Sequence, residues 1–138
     1  MSESEAQLAR FVRGELDPGT FRHRDHVRMG FEMLRRHGFV EAALHYSNAL
    51  RAMLEKAGRP DAFHQTVTLA FLSLIAERME TEKFCDFGAF ERANPDLIDR
   101  SALGRWYGPE RLGLEIARRT FLLPEPALAA AISIGDGK

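Results

Sequence analysis

One cysteine, Cys85, in 138 residues excludes an internal disulfide and any zinc site built from several thiolates. No apolar run approaches the roughly 20 residues that span a bilayer, and the opening MSESEAQLAR lacks the apolar core of a secretion signal. A cytoplasmic protein that does not engage a membrane is the expectation. There is no surplus of either charge, since 19 Lys and Arg stand against 20 Asp and Glu. Proteins that track a phosphate backbone carry a clear basic excess, so nucleic acid is not the expected partner. Strand-like alternation is missing, as are internal repeats and low-complexity tracts. So are the glycine-rich phosphate loop, the G-x-S-x-G nucleophile turn, the H-E-x-x-H zinc helix and the carboxylate-rich calcium loop.

What remains is helical periodicity in a chain that is 45% hydrophobic and 28% charged, an ordinary balance for one packed domain of this length. Apolar spacing predicts helices over about 3–13, 21–37, 39–57 and 61–80. A brief helix is expected before Asn94-Pro95, and a last long one over about 109–120 with Pro109 at its first position. The stretch GELDPGT breaks the first helix from the second and offers Thr20 as an N-cap. Gly38 suits a left-handed helix end, and ISIGDGK at the C-terminus is expected to fray. The fold class is all-α: a single domain over 1–138, with a core at about 20–124, built as a helical bundle with a smaller C-terminal helical cap.

Chemistry gathers at histidines. At about 100° per residue, His23 shares a face with Val27, Phe31 and Leu34, and His26 sits at its edge. Arg24, Arg28 and Arg35 fall on the opposite, solvated side. In FHQTVTLAFLSLI, His64 likewise heads an apolar stripe through Thr68, Phe71 and Ile75. Short turns at 37–38 and 57–60 make neighbouring helices antiparallel. The second and fourth then run parallel, with His23, His26 and His64 at one end of the bundle. Helix N-termini disfavour imidazolium, and three neutral imidazoles suit a divalent ion such as Zn, Fe, Ni or Mn. Thr66 and Thr68 are then expected as hydrogen-bonding neighbours of the ligands, and Asp25 is expected to point outward.

His37 reads as a helix-terminal residue and His45 as an exposed one. Trp106 and Tyr107 are expected to anchor a connector against the core, while Arg118 and Arg119 fit a helix C-terminus. The leading expectation is a metal-binding protein, with water activation by the ion as its enzymatic version. A module that holds a small anionic molecule through histidine, arginine and helix N-termini is the alternative, and a structural domain with core histidines is a third. A homodimer is compatible with a bundle of this size.

TFRHRDHVRMGFEML, FHQTVTLAFLSLI, FERANPDLID and WYGPERLGLEIARRTFLLP together resemble a family of small, uncharacterised bacterial helical proteins. Its pattern is F-x-H-x-x-H-[LV]-R-x-[AG], then [YF]-H-x-T-x-T, N-P-x-L, an aromatic pair and A-R-x-x-F-x-x-P. The resemblance covers about 20–124 in order. It implies a shared site at His23, His26 and His64, with Arg118 as its arginine. Phe63 stands where the family usually has tyrosine, so one hydroxyl is missing.

Overall fold

A computed structural model describes residues 2–126, all of them helix, turn or extended connection without strands. The fraying expected for ISIGDGK lies outside the described residues. The α-helices are α1 (Glu3–Val12), α2 (His23–Arg36), α3 (Phe39–Lys56), α4 (Gln65–Thr81), α5 (Phe87–Ala93), α6 (Pro109–Leu112) and α7 (Glu115–Arg119). Four 3-10 turns link them, at Pro18–Thr20, Pro60–Ala62, Pro95–Ile98 and Arg100–Arg105. The all-α bundle with a C-terminal cap is the observed architecture. None of the described helices is long and apolar enough to cross a membrane.

Helix α2 organises the rest because it is buried on two sides. Met29 and Met33 face a core shared with Leu8 and Phe11 of α1 and with Tyr46, Leu50 and Met53 of α3. Val27 and Phe31 face a second core with Ile75 of α4, Phe87 and Phe90 of α5, and Leu97, Leu103 and Tyr107 of the cap. Between them Gly30 brings α4 close: a Cβ there would stand 3.0 Å from Ile75 Cδ1 and 3.1 Å from Leu72 Cδ2. Real Cβ atoms rarely approach other atoms so closely, so a side chain there would force Ile75 and Leu72 to shift.

Helix α1 is fastened to α2 by charge. The Glu32 carboxylate is 1% exposed; it accepts from Arg36 Nη1 at 2.9 Å and lies 3.4 Å from Arg35 Nη1, while Arg36 Nη2 reaches Glu5 at 3.2 Å. Such a buried carboxylate is tolerated because its partners are cationic donors. Arg28, expected in solvent, is buried instead. Its Nε donates to Ser4 Oγ at 2.6 Å, and its guanidinium lies 3.4 Å from Glu3. The periodicity of α2 alone misplaces it, since α1 covers the polar edge that α3 and α4 leave open.

Several helix ends also differ from expectation. Thr20 belongs to a 3-10 turn and Arg22 is the residue that precedes α2. Asp25 folds back rather than outward: its Oδ2 accepts the Arg22 N–H at 2.8 Å and its Oδ1 the Gln7 side chain at 3.0 Å. A carboxylate in the first turn satisfies an amide that has no helical partner. Gly38 has φ −64° and begins α3; the left-handed glycines are Gly14 and Gly58, at φ 71° and 73°. The long last helix is two short ones, interrupted at Gly113–Leu114. Trp106 is 44% exposed, whereas Tyr107 is buried and donates to the Leu122 carbonyl at 2.8 Å.

Candidate functional site

The first turns of α2 and α4 open on one cavity of about 370 Å³, closed on the third side by the C-terminal half of α3. His23, His26 and His64 all line it, with Thr68 beside them. Its floor is apolar, made by Val27, Leu50, Met53, Phe71, Leu72 and Ile75. Arg59 and Arg100 stand exposed at the rim. Mixed walls of this kind, apolar with a few polar groups, are the usual build of a small-molecule pocket.

The imidazoles are individually held. His64 is the N-cap of α4, with Nδ1 accepting the Val67 N–H at 3.1 Å. That bond puts the ring proton on Nε2, which donates to the Leu112 carbonyl at 2.7 Å. Both nitrogens are spent. His23 uses Nε2 against the Leu97 carbonyl at 3.0 Å, and its ring meets Phe71 edge-on with centroids 4.9 Å apart. His26 places Nδ1 3.1 Å from Tyr46 Oη and packs against Phe21 with centroids 4.6 Å apart. The His23 and His26 ring centroids are 6.4 Å apart.

Burial keeps these two rings neutral. The pKa of His26 is lowered to about 4, first by burial and then by the neighbouring His23, against the pull of Asp25. His23 is also lowered, again chiefly by burial, with the Leu97 carbonyl and Asp99 opposing it. Arg100 pushes both downward. Burial holds the Tyr46 hydroxyl protonated.

A metal centre at His23, His26 and His64 would need three available lone pairs. His64 has none as folded, because a backbone amide and a backbone carbonyl occupy its two nitrogens. Among the described residues no group of three His, Cys, Asp or Glu side chains is placed to hold an ion. The residues expected around the ligands also divide. Thr68 lines the cavity; Thr66 is fully buried away from it, donating to the Thr120 carbonyl and accepting the Leu122 N–H, both at 3.0 Å. Arg118 lies in a separate shallow groove and donates to the Asp61 carbonyl at 2.9 Å. His37 and His45 pack on each other away from the cavity, with centroids 4.7 Å apart, and Cys85 is exposed.

Sequence reasoning missed Tyr46, Arg59 and Arg100. Tyr46 was legible: Ala42, Tyr46, Ala49 and Met53 keep helical spacing and form the buried stripe of α3. The arginines carry no local signal, since each sits in a turn whose place at the rim depends on tertiary packing. No protein-family model matches the chain, and neither a curated protein nor a solved structure is similar to it.

Proposed function

We propose that the chain is a binding protein for a small anion with an apolar body. The observation that carries this is the charge of the cavity wall: two arginines line it beside three neutral imidazoles, and among the described residues no carboxylate does. Among the described residues neither Arg59 nor Arg100 makes an ion pair. An incoming anion therefore meets uncompensated positive charge at the rim while its body displaces water from Leu50, Leu72 and Ile75. A divalent cation meets that same charge as repulsion, and finds the third imidazole already bonded.

Phenylacetate at tenfold its Kd is expected to stabilise the fold by about 1.4 kcal/mol, a shift of a few degrees in a thermal melt. Phenylacetamide, its neutral counterpart, is expected to shift the melt less, and Arg100→Gln to remove the difference. Stabilisation instead by Zn²⁺, Fe²⁺, Ni²⁺ or Mn²⁺ alone, lost in His64→Ala, would replace this reading with the metal one.

A further inference from the structure

The polar groups inside the cavity are not equivalent, because the protein has already spent some of them. A carbonyl oxygen only accepts, so the His23 contact with Leu97 requires the ring proton on Nε2. Its Nδ1 is left as a lone pair. Tyr46 makes two contacts, 3.1 Å to His26 Nδ1 and 3.2 Å to the His26 carbonyl. Both are hydrogen bonds at once only if Oη donates to the carbonyl and accepts from Nδ1–H. The tautomer assigned by that network leaves Nε2 of His26 as a second lone pair.

Neither lone pair has a partner among the described residues. Among the described residues the sole side-chain N or O that is both sealed and unpartnered is Gln7 Oε1, so His23 Nδ1 and His26 Nε2 remain accessible, on rings that line the cavity. The Thr68 hydroxyl is in a similar position: the residue is 8% exposed, lines the cavity and makes no hydrogen bond within the described protein. The inner wall thus offers two acceptors and one hydroxyl, with the cationic rim at Arg100 near both imidazoles.

Building on the anion-binding reading above, we infer that the preferred ligand is a 2-hydroxy carboxylate, its carboxylate at Arg100 and its adjacent hydroxyl donating to His26 Nε2. A hydroxyl supplies the donor these acceptors lack. Since a site built around buried polar groups penalises a ligand that leaves them unpaired, a plain carboxylate binds less well. An ammonium at the same carbon also donates, but it brings positive charge beside two arginines into a wall without a carboxylate. The site therefore separates hydroxy acids from amino acids. Tyr46 is a positioning residue here: its hydroxyl is spent on His26, and it acts by fixing which nitrogen of that ring carries the proton.

Three probes of one shape test this: mandelate, phenylacetate and phenylglycine, each titrated calorimetrically. Mandelate is expected to bind about tenfold tighter than phenylacetate, and phenylglycine more weakly than either. In Tyr46→Phe the mandelate advantage should shrink to about twofold with the phenylacetate affinity retained, which also reports that the variant is folded. Nitrogen-15 spectra of the wild-type rings give a second readout that needs no variant: His26 protonated at Nδ1, His23 at Nε2. Equal affinity for mandelate and phenylacetate, phenylglycine matching mandelate, or His26 protonated at Nε2 would each overturn the inference and leave the anion pocket standing. Failure of mandelate and phenylacetate alike to bind would remove the pocket reading and this inference with it.

Discussion

Lowering the pH from 7 to 4.5 is expected to remove roughly 2–3 kcal/mol of folding stability through His26. In the unfolded chain this imidazole takes a proton near pH 6.5, whereas in the fold it resists protonation down to about 4. Below 6.5 the unfolded state therefore binds a proton that the native state refuses. The stability is fully present above 6.5 and is lost as the pH falls toward 4. His23, lowered for the same reason of burial, adds in the same direction.

The groups facing these rings set the window. Arg100 opposes protonation of both rings and His23 that of His26, while Asp25 favours it at His26 and Asp99 at His23. Glu5, Glu91, Asp96 and Asp99 are held below their ordinary carboxylate values by Ser2, Arg24, Arg78 and Ser101 respectively. They make the fold acid-labile only where carboxylates begin to protonate. The slope between pH 6.5 and about 4.5 thus belongs to the histidines. Urea melts across that range check it: His26→Gln should flatten the slope whatever its effect at pH 8, and an undiminished slope would mean that His26 is not the responsible group.

Thr66→Val, which keeps the side chain's shape and removes its hydroxyl, is expected to cost about 2 kcal/mol. The Oγ1 atom bonds both Thr120 O and Leu122 N from a fully buried position, so one hydroxyl pins the chain after α7 to α4. Tyr107 Oη and Arg111 Nε hold the same segment through the Leu122 and Leu123 carbonyls, at 2.8 and 2.7 Å. Losing the central pin should therefore loosen the segment without releasing it. Amide hydrogen exchange should accelerate at Leu122 well before the centre of α4 responds. Uniform acceleration along α4 would contradict a local clamp.

The sequence made the helices legible wherever packing is one-sided. In α3 the buried stripe meets a single core, and the helix runs close to the extent expected. Boundaries and roles failed where a backbone group took an unanticipated partner. His64 has the spacing of a first-turn residue, yet its imidazole caps the helix; only the bond from Val67 tells the two apart. Arg28 has the spacing of a solvated residue, but α1, sixteen or more positions earlier in the chain, lies across it. The gathering of His23, His26 and His64 around one cavity follows from the parallel placement of two helix starts, which turn lengths foretell. Which ring nitrogens stay available does not follow, because it depends on Leu97, Leu112 and Tyr46, each distant in sequence from its partner.

The histidines also supply their own control. Three line the cavity, while His37 and His45 pack on each other elsewhere. Following the five imidazoles by NMR during a phenylacetate titration therefore tests the central claim most directly. The rings of His23, His26 and His64 should shift along one saturating curve while those of His37 and His45 stay still. Saturation with the three cavity rings unmoved, or movement confined to His37 and His45, would contradict it.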